Sequence, residues 1–146
     1  MAGTIRSILA HKGTHVVTLG ESATVAEAVR LLARYGIGAI VVVDDAGEVV
    51  GLVAERDIVG AMDRCGAEVV RVTVAEIMSA DVPTCTLEAD IDRVAAVMTE
   101  GRHRHVPVVV AGELVGIVSV GDVVKVRMAT LSDTAEQLRT YVAGSY

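Results

Sequence analysis

Residues 50–59 read VGLVAERDIV and residues 115–124 read VGIVSVGDVV, two copies of one pattern set 65 positions apart. In each copy an apolar run gives way to a short polar step, and a second apolar run opens on Asp57 or Asp122. The first run, rich in Val and Ile, reads as a strand, and the acidic residue marks the start of a helix. The likeness continues upstream. Val25-Ala26-Glu27-Ala28-Val29 lies over Ile91-Asp92-Arg93-Val94-Ala95 at an offset of 66, which also carries Thr18 onto Thr84. Each segment follows a capping residue, Thr24 or Asp90, and each places apolar side chains at helical spacing: Val25, Ala28, Val29 and Leu32, then Ile91, Val94, Ala95 and Met98. Gly36 and Gly101 stand where these helices should stop.

Between helix and motif lie two Val-rich runs per half, 39–43 with 48–54 and 105–110 with 113–119, which read as hairpins. Their turns, Asp45-Ala46-Gly47 and Ala111-Gly112, differ by one residue, which accounts for the change of offset from 66 to 65. After each hairpin the apolar character of 57–62 and 122–128 is nearly continuous and implies helices buried on more than one side. A short apolar turn precedes each half, at 5–9 and 74–78. The chain is thus a duplication. A half of about sixty residues is marginal alone, and a hairpin sheet with helices on one face leaves its other face bare. The reading is therefore an α/β (α+β) fold of two pseudo-symmetric β-α-β-β-α units packed sheet to sheet. The expected boundaries are 1–62 for the first unit with its N-terminal helix, 63–73 for a linker, 74–130 for the second unit and 131–146 for a C-terminal helix or tail. That tail carries a capping box at Asp133 and Glu136 with apolar Leu138, Tyr141 and Val142. It docks either on its own module or on a second subunit.

Composition narrows the function. There is no Trp or Phe and only three Tyr, so the core is built from aliphatic side chains. A net charge of −6 without a basic cluster or stacking aromatics argues against nucleic acid. No apolar stretch approaches the roughly 20 residues of a membrane span, and the first residues are too short and charged for a secretory signal; a cytoplasmic location is expected. Cys65 and Cys85 lack CxxC spacing and read as free thiols. GxSxG, GxxxxGK[ST] and GxGxxG are absent, and nothing resembles a catalytic constellation. His11 with His15, and His103 with His105, have spacings that could share a face, but neither pair has the further ligands a zinc site needs.

The two motifs, together with Ile77-Met78 and HRHVPVV at 103–109, resemble the tandem pair of cystathionine-β-synthase-type domains, the CBS pair or Bateman module, over residues 1 to about 130. The resemblance implies a cytoplasmic regulatory or sensor module, not an enzyme. It would bind an adenosine-containing ligand (AMP, ADP, ATP or S-adenosylmethionine) between the units, need no obligatory cofactor, form a homodimer and act on a target protein. It further implies that Asp122 takes the ribose hydroxyls and that Ser119, beside Gly121, faces a phosphate. Chemistry agrees: an ionised carboxylate accepts two hydroxyl hydrogens, a hydroxyl donates to a phosphate oxygen, and a helix start favours an anion. Equally, Asp and Ser cap helices with no ligand present.

By the same resemblance Val82, Pro83 and Thr84, with His105, Val106 and Pro107, line the adenine slot of the second half. His103 and Arg104 either face a phosphate or form a solvated charged face. The first-half counterparts are Asp57 and Arg56, with Val17, Gly38 and Ile40 for the slot, but Ala54 replaces the hydroxyl residue. One competent site in the second half and an altered one in the first are expected. The competing function is an interaction module that works through its surfaces without nucleotide.

Overall fold

The computed structural model describes residues 3–144, which form six α-helices and five strands. In chain order these are α1 (Ile5–Lys12), β1 (Thr18–Gly20), α2 (Val25–Tyr35), β2 (Ala39–Val43), β3 (Val49–Ala54), α3 (Glu55–Cys65), a 3₁₀ turn (Gly66–Arg71), α4 (Val74–Ile77), α5 (Ile91–Gly101), β4 (His105–Val110), β5 (Glu113–Ser119) and α6 (Val120–Ala143).

The duplication is visible in the register. β2 and β3 are antiparallel with Ala39 opposite Ala54, and β4 and β5 repeat this with His105 opposite Ser119. β1 runs parallel to β2 with Leu19 opposite Val42. Its counterpart is reduced to one parallel bridge, Cys85 with Val108, held by Cys85 N–H to the Pro107 carbonyl (3.0 Å) and Val109 N–H to the Cys85 carbonyl (2.8 Å). Pro83 has no N–H to extend that ladder. α2 begins with a reciprocal cap, Thr24 with Glu27, and ends on left-handed Gly36 (φ 61°). In the second half the stop falls one residue later than the sequence suggested: Gly101 stays helical and Arg102 takes the left-handed turn (φ 56°).

The short helices are exchanged between units. α1 was expected on the first unit, but Ile5, Ile8 and Leu9 are buried with Ile91, Val94, Met98, Val106, Val108, Val118 and Val123 of the second. The first amides of α1, which have no partner within a helix, donate to that unit: Ile5 N–H to the Ala89 carbonyl (3.0 Å) and Arg6 N–H to the Leu87 carbonyl (2.9 Å). An Arg6–Glu88 ion pair adds to the contact. Conversely Val74 of α4 is buried with the first-unit core of Val25, Ala28, Leu32, Ile40, Val42 and Val53, and its N–H donates to the Ala23 carbonyl (2.8 Å). The stretch expected as a linker is part of that core too: α3 runs on to Cys65, and Val69 in the 3₁₀ turn is 1% exposed. No residue-level pattern distinguishes docking on the near unit from docking on the far one.

The two sheets face each other through Ala39, Val41 and Leu52, with Val16, Val82, Leu114 and Ile117 against them. This is the sheet-to-sheet burial the sequence implied. Two readings are corrected. α3 and α6 are not buried on several sides: Ile58, Ala61 and Val123 face inward, but Val59 (68% exposed), Met62, Val124 and Met128 face outward. Apolarity reports an aversion to water, not which surface relieves it. The Asp133–Glu136 capping box does not form, because α6 continues unbroken through it and the backbone donors there are already bonded within the helix.

The glycines of the paired motifs now have a reason. A Cβ on Gly51 would lie 2.5 Å from Met78 Sδ and 2.9 Å from the Ser79 carbonyl oxygen, and one on Gly116 would lie 2.6 Å from a Leu9 methyl. Each exchanged segment presses on the sheet where a side chain is missing. Gly51→Ala is expected to cost about 1–3 kcal/mol by overpacking against backbone. Urea unfolding should show this as a lower midpoint at unchanged slope.

Candidate functional site

Each hairpin ends on the residue that caps the following helix, so β3 leads into α3 and β5 into α6 at the same end of the module. Ser119 is the N-cap of α6: its hydroxyl accepts from Asp122 N–H (3.3 Å) while the Asp122 carboxylate accepts from Ser119 N–H (2.8 Å). Asp122 is therefore the third helical residue and not the first. In α3 only half of this exchange survives. Asp57 accepts from Ala54 N–H at 2.8 Å, and Ala54 has no oxygen to return.

A cleft of about 680 Å³ opens between the two helix starts, within the range of ligand pockets. One wall is Ala54, Glu55, Arg56 and Asp57 with Gly38; the other is Ser119, Val120 and Gly121 with His103, Arg104 and His105; Leu52, Ser79 and Val82 form the floor. Both walls are first turns of helices, which carry N–H groups with no intrahelical acceptor and a positive dipole end. The cleft thus combines an apolar floor, two arginines, two histidines and two helix starts.

Most of the expected residues meet here, but not in the expected grouping. Val82 packs on the first-half cluster of Ala39, Val41 and Leu52; Ser79, just after α4, pairs backbone to backbone with Leu52 (2.9 and 3.0 Å), and its hydroxyl reaches the Asp57 carboxylate at 3.3 Å. Asp122 belongs with α1. The Lys12 ammonium donates to its carboxylate at 2.7 Å and to the Ile117 carbonyl at 2.9 Å. The exchange of helices causes this crossing, so each carboxylate meets the C-terminal end of the helix that leads the other half. Ile40 and Val106 point into the two cores at 0% and 1% exposure, and Val17 packs on the first core. Pro107 is buried, Pro83 half-buried and Thr84 exposed; none of the three lines the cleft. Lys12 and Ser79, not singled out in the sequence, stand 110 and 22 residues from the carboxylates they meet. Only the exchange brings them near. His11 lies in the last turn of α1 whereas His15 lies beyond Gly13 against the Tyr35 ring, so they share no helical turn. Among the described residues no three of His, Cys, Asp and Glu gather as a metal site.

Electrostatics make the two carboxylates unequal. Burial alone would raise the Asp122 carboxyl, but the Lys12 ammonium and the Ser119 N–H outweigh it and hold it below the usual carboxylate range. His105 is pushed below 6.5, first by burial and then by the Lys12 and Arg104 charges, against the opposing pull of Asp122 and Glu55. Its imidazole lies close to Gly38, where an added Cβ would sit 3.4 Å from it, so this neutral ring spans the two units. Cys85 is a half-buried thiol pushed up to about 11 by burial, and Cys65 is exposed; both are free.

The CBS domain profile matches residues 5–64 and again 74–129, which together exceed half of the chain. The chain belongs to the CBS domain family. As a CBS pair, a regulatory module, it is 42% identical to the CBS-domain containing protein ATU1752 of Agrobacterium tumefaciens, with a TM-score of 0.83 over 87% of this chain and 95% of that one. The CBS domain pair of MJ0100, crystallised in complex with 5-methylthioadenosine and S-adenosyl-L-methionine, is 26% identical with a TM-score of 0.78 over 87% of this chain and 97% of that one. Among curated relatives, the mitochondrial CBS domain-containing protein CBSX3 of Arabidopsis thaliana is 31% identical over 127 residues, 84% of this chain. The aligned region spans only 62% of that relative's own length. Among the described residues no helix is long and apolar enough to cross a membrane.

A histidine whose folded pKa is lowered binds protons more readily unfolded. Its contribution to stability is present above 6.5 and is lost as pH falls through the lowered folded value. Asp122 contributes in the same sense but only in the acid range, as pH falls below the usual carboxylate value. Stability from urea titrations should therefore decline as pH falls below about 6.5, and His105→Gln should flatten that decline while leaving the acid-range loss in place.

Proposed function

We propose that this CBS pair is a cytoplasmic sensor that binds an adenosine-containing ligand, an adenine nucleotide or S-adenosylmethionine, in the cleft between its units. It acts as a homodimer on a target protein and performs no catalysis of its own. The observation that carries this reading is the cleft itself. A base needs a flat apolar slot, which Leu52, Val82 and Gly38 supply. A ribose needs an acceptor-only group, and Asp57 stands at that slot with no basic side chain bonded to it among the described residues. Phosphates need cations and free amides, which Arg56, Arg104 and the first turns of α3 and α6 provide. The solved complex of the MJ0100 pair with two adenosine compounds supports the ligand class.

The division of labour in this reading reverses the expectation from the motifs. Asp57 is the ribose residue of this cleft, and Asp122, already held by Lys12, is a positioning residue for the start of α6. Ser119 and Gly121 keep the phosphate side, His103 and Arg104 join them there, and His105, expected in the adenine slot, takes its place on the same wall of the cleft. The neutral His105 donates or accepts across the unit boundary.

Thermal shift and calorimetry with AMP, ADP, ATP and S-adenosylmethionine test this directly. At least one should raise the melting temperature, and Asp57→Ala should weaken binding about ten-fold or more, the loss of a hydrogen bond to a charged group. Asp122→Ala should cost less affinity. Arg104→Ala should discriminate against phosphorylated ligands while leaving adenosine unchanged. If none of the four ligands shifts the wild-type protein, the cleft is not a nucleotide site and the module works through its surfaces alone.

A further inference from the structure

The exposed apolar residues of α6 have a regular spacing. Val124, Met128, Leu131, Ala135, Leu138 and Val142 follow one another at intervals of 4, 3, 4, 3 and 4, which is the a/d seam of a coiled coil. Val124, Met128, Leu131, Leu138 and Val142 are 46%, 65%, 69%, 59% and 60% exposed. The outer face of the same stretch is polar, with Thr130, Asp133, Gln137 and Thr140. At about 100° per residue the seam lies roughly a third of the way round the helix from Val123 and Val126, which face the body. The body leaves it open. Among the described residues every one from 128 to 144 is exposed, and a helix so little covered would be marginal by itself. Its nucleus is already formed, since α6 starts on the body at Val120 and runs 24 residues without a break.

We propose that α6 from about Met128 to Val142 pairs with α6 of a second copy as a parallel two-stranded coiled coil, with Leu131 and Leu138 each meeting its own counterpart. Leucine at d with a β-branched residue at a favours two strands; both leucines of the seam fall at d, and Val142 falls at a beside Met128 and Ala135. Charge selects the direction. In the parallel pair the flanking positions set Arg127 beside the partner's Ser132 and Thr134 beside the partner's Arg139, with no like charges opposed. Antiparallel pairing in the same layers would set Lys125 beside the partner's Arg139 twice over. A homodimer is part of the reading above; the seam names the surface that forms it. The seam does not depend on what the cleft binds.

The test uses the full chain carrying Cys65→Ser, since that exposed thiol would otherwise crosslink on its own. Under mild oxidation the Leu138→Cys variant should form a disulfide-linked dimer at least ten-fold more than the Thr140→Cys variant, whose thiol lies on the outer face. Sedimentation should show a wild-type dimer and a dissociation constant at least ten-fold weaker for the Leu131→Asp/Leu138→Asp double variant. Equal crosslinking in the two cysteine variants, or a dimer unmoved by the double substitution, overturns the seam but leaves the homodimer standing. A wild-type chain that sediments as a monomer at micromolar concentration overturns both.

Discussion

The exchange of α1 and α4 between the two units is the interaction on which the rest depends. Each unit's helical core is completed by a segment from elsewhere in the chain: Ile5, Ile8 and Leu9 for the second unit, Val74 and Val69 for the first. Removing either segment would open apolar surface in the opposite half, so neither unit is closed alone. The two glycines where the segments press on the sheets, Gly51 and Gly116, sit inside the very stretches that reveal the duplication. The recurring Gly is a packing requirement, against Met78 and the Ser79 carbonyl in one copy and the Leu9 side chain in the other.

The same exchange decides the chemistry at the helix starts. Because α1 crosses over, Lys12 arrives at Asp122, and because α4 crosses back, Ser79 arrives at Asp57. Two carboxylates at equivalent positions of a duplicated fold thereby acquire different partners. One is bound by an ammonium at 2.7 Å, the other only by a hydroxyl at 3.3 Å and a backbone amide. The open carboxylate is the one that lines the cleft. Pseudo-symmetry supplies two helix starts facing one space, and the exchanged segments make one of them available.

Much of this was legible in the residues. The offsets of 66 and 65 reproduce the pairing of Ala39 with Ala54 and of His105 with Ser119, because hairpin register follows turn length. Sheet-to-sheet packing followed from the bare face of a small hairpin sheet. Most residues that line the cleft were named as well, since Ser119, Arg104 and Asp57 lie at strand ends and helix starts. What local pattern could not give was partnership over distance. Lys12 and Asp122 are 110 residues apart, and only the three-dimensional path of α1 joins them. The ion pair of Asp122 with Lys12 went unseen for that reason. The outward-facing Val59, Met62, Val124 and Met128 were misread because an apolar side chain looks the same in sequence whether it fills a core or a contact between molecules.

The central claim is that a single cleft, walled by the starts of α3 and α6 together, takes one ligand with both halves. Titration of isotope-labelled protein with an adenine ligand, followed by amide chemical shifts, tests it most directly. The account predicts that Gly38, Arg56 and Asp57 in the first half and Arg104, Ser119 and Gly121 in the second move together along one saturation curve. Shifts confined to one half, or two groups that saturate at different ligand concentrations, would contradict it.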